Sequence, residues 1–229
     1  MAGFNSLKPM RHRSKLIAAT VAGAVLLAAV AAALGGGDED SDERPAVAGC
    51  EQVGEPGIKP SDLSSPEATV QASAELTAVV DTTCGRFEIA LDAGRAPKTV
   101  SSFVHLAREG FYDGLSFHRI VPGFVIQGGD PRGDGTGGPG YTIDEEPPPN
   151  LAYTKGVVAM AKSAAEPPGR SGSQFFVVTG ADAGLPPDYA LVGRVFRGMN
   201  VVERIGRLGT PTQMPRQTVL IEDIMIEKG

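Results

Sequence analysis

The feature that most constrains this chain is its punctuation. Thirty glycines and eighteen prolines are spread through 229 residues, and they divide the apolar sequence into short runs. Such runs, bounded by turn formers, favour strands and tight connections over a helical bundle. Hydrophobic residues make up 41% of the chain, enough to pack a core. Over 72–229 the reading is therefore mainly β. Strand formers at 74–82 and 86–91 flank a Cys84-Gly85 turn and predict a hairpin, and further strands are expected at 116–120, 124–128, 156–161, 174–179, 191–196 and 218–226. Pro97 suits the first position of a helix. Val100, Phe103, Val104 and Ala107 follow at helical spacing, and Gly110 stops them. A second helix is expected over 198–205, with Val201, Val202 and Ile205 facing inward. About eight antiparallel strands and two helices imply a closed barrel capped at its ends.

The N-terminal part has a different texture. A basic flank, 1–15, carries Lys8, Arg11, Arg13 and Lys15, and an uncharged stretch follows at 16–34, then three glycines, then an acidic run over 38–43. About 19 helical residues span roughly 28 Å, close to the hydrocarbon thickness of a bilayer. Basic residues stay on the cytoplasmic side. The order reads as a single-pass transmembrane signal anchor over 16–34 in the cell membrane, with the body extracytoplasmic. The alternative is a signal peptide cut near Ala31-Ala32-Ala33, which would leave the body secreted. Residues 35–71, rich in acids, Pro, Gly and Ser, read as a flexible linker to a domain at 72–229. Val47-Ala48-Gly49-Cys50 is similar to a lipobox but does not close the apolar run, so lipidation is not expected. Cys50 and Cys84 are the only cysteines. They could pair in an oxidising compartment, and their spacing leaves that open.

Charge and motif spacing exclude several functions. The formal charge is −6 overall; the first 37 residues contribute four positive charges and no negative ones, so the remainder carries −10. Phosphate neutralisation needs clustered Lys and Arg, so a nucleic-acid partner is not expected. The run 133–138 matches G-x-G-x-x-G, but Pro139-Gly140 after it cannot open the helix a dinucleotide site requires. Asp130 and Asp134 start like a calcium loop, but Arg132 takes a ligand position and Tyr141 stands where the bidentate Glu belongs. His12, His105 and His118 lack ligand spacing, and Ser171 and Ser173 lack a nucleophile-elbow context. Neither a metal nor another cofactor is expected.

The decisive stretch is F-H-R-I-V-P-G-F-V-I-Q-G-G-D over 117–130, which places Arg119, Phe124 and Gln127 on strands beside a Pro-Gly turn. A second strand at 172–177, G-S-Q-F-F-V, turns Gln174 and Phe176 to one face. With G-T-G-G at 135–138, V-A-M-A at 158–161 and L-V-G-R-V-F-R-G-M-N-V-V at 191–202, these segments resemble the cyclophilin family of peptidyl-prolyl cis/trans isomerases, in a bacterial, membrane-anchored or exported form. The resemblance covers roughly 76–227. It implies catalytic roles for Arg119, Phe124 and Gln127. It implies a proline pocket of Phe124, Phe176, Met160 and Leu185, with Ala161, Lys162, Gln174 and Tyr189 binding the peptide. The partners it implies are proline-containing unfolded or exported polypeptides. Three positions depart from the family pattern: Lys162 replaces the common Asn, Tyr189 replaces the His of animal members, and Gly184 replaces their Trp. The last implies weak cyclosporin binding. The alternative function is a proline-peptide-binding or chaperone module without turnover.

Overall fold

The computed structural model describes residues 48–229. The basic flank, the apolar run 16–34 and the first part of the expected linker lie outside the described residues. Among the described residues no helix is long and apolar enough to cross a membrane.

The expected hairpin is β1 (Leu76–Thr82) and β2 (Gly85–Leu91), followed by α1 (Pro97–Arg108). Then come β3 (Arg119–Val121), β4 (Val125–Gly128), β5 (Ile143–Asp144), β6 (Val157–Met160), β7 (Arg170–Ser171), β8 (Phe175–Val178) and β9 (Leu191–Arg197). The chain finishes with α2 (Met199–Gly206) and β10 (Ile221–Lys228). Eight strands form one antiparallel sheet in the order β10-β1-β2-β9-β6-β8-β4-β3, and β5 pairs separately with β7.

This sheet curls but does not close, which corrects the expected barrel. Its edge strands β3 and β10 form no ladder. A single bridge, Ser116 to Leu220, the bond from the Phe117 N–H to the Val219 carbonyl, and two bonds between Gly114-Leu115 and Ile221 join the start of β10 to the segment that leads into β3. The physical reason lies in β3, which has only three residues and whose Ile120 N–H is taken by the Gln213 carbonyl of a loop. That loop covers the edge and leaves no row of donors for β10.

The curled sheet holds two apolar clusters on opposite faces. Phe87, Ile126, Val158, Met160, Phe175 and Val177 belong to the main core with α1, α2 and the aromatic group Phe103, Tyr112 and Phe117. Val125, Ala159, Phe176 and Val178 alternate with them and belong to a second cluster around Tyr153. The N-terminus of α1 is capped from afar: the Glu145 carboxylate accepts from the Lys98 and Thr99 N–H groups at 3.0 and 2.7 Å. A negative group there satisfies orphan donors and complements the helix dipole.

Residues 48–71 have no regular secondary structure, but they are pinned to the domain at several points. The sulfurs of Cys50 and Cys84 are 2.03 Å apart, a disulfide, and the Glu51 N–H bonds the Thr83 carbonyl. Lys59 Nζ donates to the carbonyls of Gly110, Phe111 and Asp113 at 3.0, 2.9 and 2.7 Å, just beyond the end of α1. The Leu63 N–H reaches the Pro139 carbonyl, and the Ser64 carbonyl meets the His105 imidazole. The disulfide closes a loop with a sequence separation of 34. In the chain-entropy account, a loop of that length contributes about 3–4 kcal/mol. Urea unfolding of the Cys50→Ser, Cys84→Ser double variant should show a loss of that order, and an unchanged midpoint would mean the strap adds no constraint.

Candidate active site

The site is built on one cross-strand row. Antiparallel register places Arg119 opposite Gln127, Gln127 opposite Phe176, and Phe176 opposite Ala159. Four residues from β3, β4, β8 and β6 thus share one face. Between β3 and β4 the chain turns through Pro122 and Gly123, and Gly123 has φ +70, the backbone setting that a Pro-Gly turn requires at its third position. Gly180 permits the neighbouring approach. A Cβ there would lie 2.2 Å from the Gly123 carbonyl oxygen, while the Thr179 N–H bonds the Phe124 carbonyl at 2.8 Å. Phe124 is held over the sheet by these contacts.

Side chains extend the row into a continuous hydrogen-bonded line. Arg119 Nε donates to Gln213 Oε1 at 2.8 Å, and an Nη1 proton goes to Gln127 Oε1 at 3.1 Å. Gln127 Nε2 donates to Gln174 Oε1 at 3.0 Å, and Gln174 Nε2 bonds the Gly135 and Gly137 carbonyls. Each amide is thereby oriented, and the guanidinium is held from two sides. Among the described residues no carboxylate forms a salt bridge with Arg119. Its charge and remaining N–H groups are left to a cavity of about 600 Å³ that Arg119 lines.

The opposite wall of that cavity is apolar: Phe124, Val125, Ala161, Phe176, Leu185 and Tyr189. Phe176 and Tyr189 meet edge to face with centroids 5.5 Å apart. Tyr189 is fixed from behind by Tyr153, whose hydroxyl donates to the Tyr189 carbonyl at 2.6 Å and accepts from its N–H at 2.9 Å. Burial, opposed by that carbonyl bond, pushes the Tyr153 phenol up to about 12, so it stays protonated. His118 also borders the cavity. Burial lowers its imidazole pKa, with Asp130 opposing, which favours the neutral ring beside Arg119. Asp130 itself shapes the adjacent loop, accepting from the Arg132 and Gly135 N–H groups.

The structure brings together Arg119, Phe124, Gln127, Ala161, Lys162, Phe176, Leu185 and Tyr189 around the cavity, with Gln174 behind Gln127. Met160 is the correction. It is 1% exposed and faces the main core, because alternation along β6 sends it to the side opposite Ala159 and Ala161. Val125 supplies the apolar wall instead. Gly184, beside Leu185, has open space around its Cα. Sequence reading missed Val125, Tyr153 and Gln213. The first was signalled by its place two residues before Gln127 on one strand, and the last carried no local signal.

Residues 77–226 match the sequence family described as cyclophilin type peptidyl-prolyl cis-trans isomerase/CLD. The chain belongs to the cyclophilins. It is 40% identical over 185 residues to peptidyl-prolyl cis-trans isomerase A of Mycobacterium tuberculosis, covering 72% of this chain and 97% of that protein. It is 40% identical over 171 residues to isomerase B of Streptomyces anulatus, covering 67% and 94%. A fungal relative, peptidyl-prolyl cis-trans isomerase-like 1 of Rhizopus delemar, is 42% identical over 136 residues, covering 58% and 81%, so the matches are not confined to bacteria. A crystal structure of a Cryptosporidium parvum cyclophilin in the presence of the dipeptide Ala-Pro superposes with a TM-score of 0.62 at 30% identity, covering 67% of this chain and 99% of that one.

Within this cyclophilin Gln213 has a cost of its own. It is the one non-glycine residue with positive φ, at +66, among the described residues. Such a backbone setting costs about 1 kcal/mol or more and is kept where it orients a group. Gln213→Gly should therefore preserve or raise thermal stability while removing the acceptor for Arg119 Nε. The expected loss in kcat/KM is about ten- to a hundredfold, the worth of one hydrogen bond to a charged group. Unchanged turnover in a stable variant would show that Gln127 alone orients the guanidinium.

Proposed function

We propose that this domain accelerates cis/trans rotation of X-Pro bonds in exported or cell-surface polypeptides, with Arg119 as the catalytic donor. The observation that carries the reading is the guanidinium itself: among the described residues it is unpaired with any carboxylate, and it is held by two glutamines and faces an apolar hollow of proline-accepting size. An X-Pro peptide bond rotates against a barrier of about 18–20 kcal/mol because nitrogen conjugation is lost on the way. A donor aimed at the prolyl nitrogen gains its partner only when that nitrogen becomes pyramidal. The interaction is then stronger in the transition state than in the ground state, which is the condition for raising kcat. Each tenfold acceleration requires about 1.4 kcal/mol, and no proton transfer is needed. Phe124, Val125, Phe176, Leu185 and Tyr189 would seat the ring and exclude water, and Ala161 with Gln127 would align the extended backbone. Gly184 leaves no bulk beside Leu185, which supports weak cyclosporin binding.

A protease-coupled assay on a short X-Pro peptide tests the reaction. Arg119→Ala should lower kcat/KM by roughly 10²–10³-fold, the usual loss for one transition-state donor. Wild-type rates equal to the uncatalysed background would leave only a peptide-binding module.

The place of action is proposed on separate grounds. The basic, apolar, acidic order of 1–43 supports a signal anchor or signal peptide. The Cys50–Cys84 disulfide fits an oxidising compartment, and it also leaves Cys50 no free thiol for lipid attachment. Mass spectrometry of the native N-terminus in membrane and soluble fractions should find residues 16–34 retained in a membrane-bound protein. A mature chain starting near residue 34 would replace the anchor with secretion, and an uncut protein in the soluble cytoplasmic fraction would remove both.

A further inference from the structure

A second cavity of about 930 Å³ adjoins the first. The two share Gln127, Gly135, Ala161 and Lys162, so they form one continuous groove with an apolar end and a polar end. Lys162 stands at their junction. Its ammonium donates to the Glu166 carbonyl at 3.0 Å and lies 5.4 Å from the centre of the Tyr189 ring. A weaker contact reaches the Ser163 carbonyl at 3.4 Å. These contacts hold the side chain in place and leave its charge unneutralised: among the described residues no carboxylate pairs with it.

The nearby acids are committed elsewhere. Glu166 Oε2 accepts the Ser163 N–H at 2.6 Å, closing the turn 163–166, and Asp134 Oδ1 accepts from the backbone and hydroxyl of Thr136. Arg132 also borders the second cavity and forms no salt bridge among the described residues. The groove therefore presents Arg119, Lys162 and Arg132 against Glu166 and Asp134, a local positive excess on a protein of formal charge −6. Complementary charge at a binding groove acts on partner choice more than on raw affinity.

We infer that Lys162 makes this isomerase prefer proline segments carrying an acidic side chain within a few residues of the proline. The inference rests on the isomerase reading, because it needs the proline in the apolar end to position the flanking residue over the polar end. An extended chain advances about 3.3 Å per residue, so a residue two or three positions from the proline can reach the junction. Such a pair at a partly exposed site contributes modestly and is screened by salt.

The test uses protease-free cis/trans exchange followed by NMR on otherwise identical peptides. Each carries Glu, Gln or Lys at one of the two positions, second or third, on either side of the proline. At low ionic strength one position should favour Glu over Gln by about three- to fivefold in kcat/KM and disfavour Lys, with the gap collapsing near 1 M salt. The Glu-to-Gln ratio should fall to about one in Lys162→Gln and persist in Lys162→Arg. A ratio of one at every position in the wild type, or a preference that survives Lys162→Gln, would overturn the inference while leaving the isomerase intact. No acceleration of any peptide would overturn the isomerase reading and this inference with it.

Discussion

An antiparallel ladder permits only certain side chains to be neighbours, and here that geometry sets the active site. Because Arg119 pairs with Gln127 and Gln127 with Phe176, a cation, an amide and an aromatic ring are brought onto one face without any loop having to carry them. A slip of one residue in β4 would turn Val125 and Gln127 into the core and bring Ile126 to the surface. Burial resists such a slip, since Ile126 is fully buried in the main cluster. The core thus enforces the register, and the register assembles the site.

The same alternation separates stability from chemistry. Met160, Phe175 and Val177 pack inward, while Ala159, Phe176 and Val178 build a smaller cluster that ends in the open hollow. A side chain can change on the outer face without opening a void in the inner one. Tyr153 shows how the outer cluster is stiffened: one hydroxyl ties both backbone groups of Tyr189, so the pocket wall depends on a residue that never reaches the cavity surface.

Most of the fold was legible because strands and helices announce themselves by periodicity. The hairpin at Cys84-Gly85, the helix opened by Pro97 and the shared face of Gln174 and Phe176 all follow from local pattern, and the ordered motifs carried the family. What the sequence could not show was relational. Closure of the sheet depends on whether two distant edges meet, and a three-residue β3 covered by a loop decides against it. Met160 and Ala161 are adjacent in a single apolar run, and only the pairing of β6 with β8 tells which one faces the groove. Gln213 lies 94 residues from Arg119, in a loop without periodicity, so nothing near it in the chain marks it as part of the site.

The strap has a practical corollary for defining the folding unit. Composition alone would trim the protein at residue 72, where strand-like texture begins. That cut would strand Cys84 as a lone thiol in a fully buried position and would leave the carbonyls of Gly110, Phe111 and Asp113 without the ammonium that satisfies them. The autonomous domain therefore begins no later than Cys50, and residues 50–71, which read as part of a tether, form its outermost structural layer.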